Sequence, residues 1–170
     1  MTERQHGDPE RDNKPTAGSV RSTGYRLWQV VNLWQRRQKE ALSPFNLTPV
    51  QFLLLAGLDD LSGTAPEPIT QTVLARHCRT DRMMTSQVLR HLEGDGLIHR
   101  REHDGDGRAM AVEIGEAGRN LVRKAAKSVE QVEAAFFRAL GPDIPAFGDA
   151  LTLLSGERPR RRVPAGSRSS

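Results

Sequence analysis

RMMTSQVLRHLEGDGLIHRREHDGDGRAMAVEIGEAG, residues 82–118, is the stretch whose reading decides the fold. From Arg82 to Glu93, Thr85, Val88, Leu89 and Leu92 recur at three- and four-residue steps, so a helix forms with those residues inward. Arg82, Met83, Ser86, Gln87 and Arg90 then face outward. Gly94 and Gly96 end that helix. After Gly96 the period changes from helical to extended. Residues 97–102 and 108–114 predict the arms of a hairpin, with His103-Asp104-Gly105-Asp106-Gly107 as a turn whose glycines tolerate positive φ.

Just upstream, residues 72 to about 78 predict a short helix, and Arg79-Thr80-Asp81 a turn in which Thr80 or Asp81 caps the next helix. Two short helices around a tight turn make a helix-turn-helix, and an exposed hairpin after it is a wing. Further back, Leu47-Thr48-Pro49 reads as a helix start. Thr48 is the N-cap, and Pro49 stands at the first helical position, where its missing N–H costs nothing. Val50, Phe52, Leu53, Leu54, Leu55 and Leu58 make this helix apolar on most of its circumference, so it should be the most buried. Ser62 to Pro68 is a Gly/Pro-rich loop, and Ile69-Thr70 suits a very short strand.

The flanks are helical. From Tyr25, the residues Leu27, Val30, Val31, Trp34 and Ala41 mark a long amphipathic first helix, broken by Ser43, Pro44 and Asn46. From Glu116 a second long helix carries Leu121, Val122, Ala125, Val129, Val132 and Phe136 on one stripe, and Gly141-Pro142 ends it. Ile144, Phe147, Leu151 and Leu154 mark a short last helix. Residues 1–23 are polar, without periodicity, and read as a disordered leader; residues 156–170 read as a disordered Arg-rich tail.

Composition bounds the function. Of 170 residues, 36% are hydrophobic and 27% charged, which suits one soluble unit able to bury a core without metals or disulfides. The single cysteine, Cys78, excludes an intramolecular disulfide framework or a thiolate-rich zinc site. No window approaches the roughly 18 apolar residues of a membrane span. A cytoplasmic location is expected, with no membrane partner. The pI of 9.8 invites a nucleic-acid reading, but acidic and basic residues balance everywhere except in residues 157–170. There, five arginines stand against Glu157. DNA binding must therefore be argued from where individual arginines sit.

The order of elements and the wing residues resemble the MarR family of winged helix-turn-helix transcription regulators. The likeness covers about residues 24–155. It rests on Leu92-Glu93, Gly96-Leu97-Ile98, Arg100, Asp106-x-Arg108, Val112, Ile114 and Gly118. Gly115 departs from the pattern, since the family usually has a threonine cap there; glycine is an acceptable but weaker N-cap. The resemblance implies a mainly α fold with a β-hairpin wing. It places a DNA-binding module at about 47–114 and dimerisation helices at about 24–42 and 116–154. It also implies a homodimer in which the first, fifth and sixth helices of two chains interlock, and commonly repression relieved by a small, often phenolic, ligand or by oxidation.

On this reading the partner is double-stranded DNA, no cofactor is expected, and the DNA-contacting residues are Arg82, Met83, Met84, Ser86, Gln87, Arg90, Arg100, Asp106 and Arg108. Outward side chains on the recognition helix reach base edges, and Arg108 at the wing tip enters the adjacent minor groove. The resemblance gives Asp106 the part of orienting an arginine; its plainer reading is a turn former. Arg100 and Arg101 alternate on the strand, so one meets phosphate and the other the domain or solvent. An effector pocket is expected where Trp28, Trp34, Phe45 and Phe52 lie near the junction of the helices, although aromatics at helical spacing are more often core.

Cys78 as a peroxide sensor competes with a buried small hydrophobe at a position where the resemblance places a core leucine. His99-x-x-x-His103 has no acidic or cysteine partner placed by sequence, so no metal site is expected. No phosphate-binding glycine loop, Ser/His/Asp set or metal motif supports an enzyme. The alternative to a DNA-binding regulator is a winged-helix module used purely for protein–protein dimerisation.

Overall fold

The computed structural model describes residues 22–64, 68–103 and 106–157. Most of the expected leader and the Arg-rich tail lie outside the described residues. Six α-helices and one hairpin stand among the described residues. Helix α1 (Thr23–Leu42) begins one residue inside the expected leader, because Ser22 Oγ accepts the Tyr25 backbone N–H at 3.1 Å. A 3-10 turn over Ser43–Phe45 then ends on Asn46, whose left-handed backbone (φ 54°) redirects the chain.

Helix α2 (Pro49–Ser62) starts on a capping box. Thr48 Oγ1 accepts the Gln51 N–H at 3.3 Å, and Gln51 Oε1 accepts the Thr48 N–H at 2.8 Å. Leu54, Leu55 and Leu58 are fully buried, each contributing roughly 1.5–3 kcal/mol by leaving water. Around them gather Leu42, Leu47, Leu74, Leu89, Leu92, Ile98, Val112, Val122 and Val129 in one cluster. That cluster joins the helix-turn-helix, the hairpin and both long flanking helices, the first through Leu42.

Helices α3 (Gln71–His77) and α4 (Arg82–Gly94) form the helix-turn-helix, and strands β1 (Ile98–His103) and β2 (Asp106–Ile114) the hairpin. The strands run further than the sequence predicts. His103 pairs with Asp106 across an irregularity at Glu102/His103, so these two belong to the ladder, and Gly107 to strand β2, and not to a five-residue turn. The short strand expected at Ile69-Thr70 is a single bridge from Thr70 to Ala111, with the Val112 N–H donating to Ile69 O at 2.7 Å.

Helix α5 (Glu116–Phe137) starts where predicted but gives way at Arg138 to a 3-10 turn, whose Gly141 (φ 51°) bends the chain into α6 (Ile144–Leu154). Two glycines seat its first turn. Gly115 caps it without a side chain, and an added Cβ there would crowd Leu97 O at 3.3 Å. At Gly118 an added Cβ would lie 2.3 Å from that same oxygen. The backbone of β1's approach and the first turn of α5 therefore meet at a spacing that only glycine permits. No single helix among the described residues is long and apolar enough to cross a membrane.

Candidate nucleic-acid interface

Asp81 builds the start of α4: its carboxylate accepts the Met83 and Met84 backbone N–H groups at 2.8 and 3.0 Å, a favourable charge at the positive end of a helix. Thr85 is fully buried, donating to Asp81 O at 2.7 Å and lying 2.8 Å from Thr80 Oγ1. This hydroxyl pair satisfies the polar groups beneath the turn and locks α4 against α3. With Leu89 and Leu92 also buried, the opposite side of α4 is committed to solvent. Arg82, Met83, Met84, Gln87 and Arg90 are exposed there, Met83 at 75%. Ser86 is half-buried and accepts from Arg90 Nη2 at 3.3 Å, which steadies that guanidinium.

Gly96 (φ 71°) closes α4, and the Leu97 N–H donates to Leu92 O at 2.9 Å, turning the chain straight into the wing. Here one expectation is corrected. Arg100 does not project as a phosphate contact: it is 17% exposed and its Nε and Nη2 both donate to Glu93 Oε2, the former at 2.8 Å. The pairing holds the Glu93 carboxyl below its ordinary range, through the Arg100 hydrogen bond foremost. Alternation leaves Arg101 on the exposed face, where its Nε donates to Glu113 Oε1 at 3.0 Å. The side chains of Asp106 and Arg108 lie outside the described residues; the strand that carries them does not.

The four aromatics expected at an effector pocket do not converge. Trp34 packs on Phe136 and Phe137, with ring centroids 5.3 and 5.7 Å apart. Phe45 and Phe52 pack against the buried core. Trp28, 64% exposed, lines an open groove of about 770 Å³ with Asn32, Leu33, Arg36, Lys39 and Pro49. Helical spacing along α1 put Trp28 and Trp34 on different sides, which one-dimensional proximity concealed.

Cys78 is half-buried: its Sγ lies 3.6 Å from Leu53 O, and a Cβ on Gly57 would strike it at 2.5 Å. Burial pushes the thiol's pKa up, away from the reactive thiolate. Among the described residues no three His, Cys, Asp or Glu side chains are placed to hold a metal ion; the side chain of His103, weighed beside His99, lies outside them.

Sequence reasoning missed a joint between α2 and α5. Asp59, on α2, accepts from Arg119 Nη1 at 2.8 Å, the same nitrogen reaches Ser62 Oγ at 3.0 Å, and Arg123 Nε lies 3.9 Å from the other Asp59 oxygen. Arg119 and Arg123 stand one helical turn apart, but nothing in the sequence points to Asp59 as their shared partner.

The MarR family model matches residues 47–110, from the α2 cap into the wing. The HTH-type transcriptional regulator YdcH of Bacillus subtilis is 38% identical over 123 residues, covering 72% of this chain and 83% of its own. The chain belongs to the MarR family. Its members here are transcriptional regulators, not enzymes. The repressor Rv2887 of Mycobacterium tuberculosis is 30% identical over 111 residues, covering 65% of this chain and 76% of its own. Its structure in complex with salicylic acid aligns with a TM-score of 0.59 at 28% identity, covering 78% of this chain and 96% of that one. The repressor CouR, bound to a 23-mer DNA duplex, aligns with a TM-score of 0.67 at 27% identity, covering 79% and 91%.

Proposed function

We propose that this MarR-family chain is a homodimeric, sequence-specific repressor of the cytoplasm that binds a pseudo-palindromic operator and is released by a small aromatic effector. The observation that carries DNA reading is α4 itself: capped by Asp81, fixed from beneath by Thr85, and presenting Arg82, Met83, Gln87 and Arg90 to solvent. Gln87 suits adenine, the methionines suit thymine methyl groups, and the arginines suit guanine or phosphate. Arg108 on the wing reaches the minor groove, with Asp106 orienting an arginine. CouR bound to duplex DNA supports this assignment.

The dimer is supported by unpartnered apolar surface. Along α1, Leu27, Trp28, Val30, Val31 and Leu33 are exposed, and along α6 Ile144, Leu151, Leu153 and Leu154. A monomer rarely shows so large an apolar patch. In the effector reading, the groove beside Trp28 offers a ring to stack on, and Arg36 and Lys39 offer charge for a carboxylate. The salicylic acid complex of the mycobacterial relative supports that chemistry.

A dimer places half-site centres about one helical turn, roughly 34–36 Å, apart. The test is selection of bound duplexes from a random pool by the purified full chain, followed by gel shift with Arg108→Ala. A palindrome should be enriched, and the variant should bind it much more weakly while remaining dimeric. No enrichment would favour the protein-interaction reading, and unchanged affinity of Arg108→Ala would remove the wing from the interface.

A further inference from the structure

Helices α3, α4 and α6 close in the same way, but not with the same residue. At the end of α4, Gly96 takes a left-handed backbone (φ 71°) and the Leu97 N–H donates to Leu92 O at 2.9 Å. At the end of α6, Gly156 does so (φ 80°) and the Glu157 N–H donates to Thr152 O at 3.1 Å. Glycine is the usual occupant of that position, because it has no Cβ to crowd the backbone. At the end of α3 the position belongs to Arg79 (φ 53°), with its own N–H on Arg76 O at 3.3 Å and the Thr80 N–H on Ala75 O at 2.9 Å. Among the described residues, positive φ outside glycine occurs at Asn46 and Arg79, and asparagine visits that region readily whereas arginine does not.

The contact that Arg79 makes does little to offset that strain. Its side chain is 59% exposed, and its Nη2 donates to Glu157 Oε1 at 3.0 Å, a surface pair of the kind that contributes little stability. The acid beside it in sequence, Asp81, is committed to the Met83 and Met84 N–H groups. Disfavoured backbone of this kind clusters where a ligand is gripped. We infer that Arg79 is a DNA phosphate contact beside the groove entered by α4, and that Glu157 holds its guanidinium in the free protein until a phosphate takes the carboxylate's place. The inference rests on the reading of α4 as the DNA-reading helix, whose N-terminal residues approach the bases most closely.

Position and chemistry agree with the assignment. Arg79 stands two residues before Asp81, the cap of α4, so the two Cα atoms are at most about 7 Å apart. Carboxylate and phosphate both present oxygens that the guanidinium fork recognises, and one can therefore replace the other on Arg79. Glu157 is the C-terminal neighbour of Gly156, and the paired hydrogen bonds that close α6 fix where its carboxylate sits. The exchange couples the two ends of the molecule: DNA that claims Arg79 releases the last turn of α6 from the helix-turn-helix.

The experiment titrates the full chain against a selected palindromic duplex between roughly 50 and 200 mM salt, beside Arg79→Gly, Arg79→Lys, Glu157→Gln, the Arg79→Gly/Glu157→Gln double variant and Arg82→Ala. Thermal unfolding of each is followed at one protomer concentration. Glycine relieves the backbone, so Arg79→Gly should raise Tm by about 2–4 °C while weakening DNA binding; an arginine with a merely structural role would leave binding unmoved. Losing one phosphate contact per protomer should flatten the log–log salt slope of the dimer by about 1.8, which makes the affinity drop over that range roughly 12-fold smaller. Arg79→Lys keeps the charge and should restore the slope. Glu157→Gln should tighten binding at the lowest salt by about 2–5-fold per protomer, and that gain should shrink in the double variant. An unchanged slope for Arg79→Gly, a slope that lysine does not restore, or a Glu157→Gln gain undiminished in the double variant overturns the inference. Failure of the underlying reading looks different: Arg82→Ala would then leave palindrome affinity unaltered.

Discussion

Gly118→Ala sets two effects of opposite sign against each other. In an ordinary helix interior, alanine is favoured over glycine by about 1 kcal/mol. At Gly118 the new Cβ would stand 2.3 Å from Leu97 O and 3.0 Å from Ile114 Cγ1. That carbonyl cannot easily retreat, because it accepts the Gly115 N–H at 3.0 Å, and the Leu97 N–H is itself held by Leu92 O at 2.9 Å. Relief needs a shift of about 1 Å between α5 and the wing base, with overpacking typically costing about 1–3 kcal/mol and a weakened hydrogen bond about 1 kcal/mol more. Against the propensity gain, the net is a destabilisation of about 1–3 kcal/mol. At about 2–4 °C per kcal/mol for a chain of this size, that is a drop of several degrees in Tm. Gly94→Ala is the matched control: it ends α4 with no atom within 4 Å of its added Cβ, so it should stabilise by about 0.5–1 kcal/mol. Urea unfolding at one fixed protomer concentration measures both, since association would otherwise shift the midpoints. A Gly118→Ala chain as stable as the parent would refute the idea that close approach, not turn conformation, requires this glycine.

Two further predictions concern the ionisable groups. Glu93 has a folded pKa held below its ordinary 4.5, mainly by the Arg100 hydrogen bond; its stabilising effect is therefore complete above that ordinary value and is lost as pH falls through the lowered one. Glu93→Gln should flatten the acid limb of a stability-against-pH curve, and a parallel curve would refute the pairing. Cys78, its pKa raised by burial, should react with iodoacetamide at neutral pH more slowly than a free thiol, and dilute peroxide should leave DNA affinity unchanged. Rapid trapping of a sulfenic acid there would refute it.

The architecture was largely legible because local rules and tertiary packing agree over most of this chain. Thr48-Pro49, Thr85-Val88-Leu89-Leu92 and the change of period at Gly96 each name an element by its own chemistry, and each stands where expected. Misjudgements came where the deciding partner is remote in sequence. Alternation told that Arg100 and Arg101 face opposite ways, but which one turns inward depends on Glu93, across the turn out of α4. Trp34 and Trp28 are both aromatic and near in sequence, but the rings that claim Trp34, Phe136 and Phe137, belong to α5. Asp59 gave no signal, since it is one of two adjacent carboxylates near the end of an apolar helix and looks like surface until Arg119 arrives beside it.

The Glu93–Arg100 contact has a mechanical meaning for DNA reading. Glu93 stands in the last turn of α4 and Arg100 on β1, and Gly96 and Leu97 close the short span between them. Helix and hairpin are thereby clamped like the jaws of a caliper set to one opening. In the proposed complex, the offset between the major-groove contact and its neighbouring minor-groove contact is a constant of each protomer. Adjustment to operators of different length falls to the joint between protomers, and insertions inside a half-site should be penalised more heavily than insertions between the two.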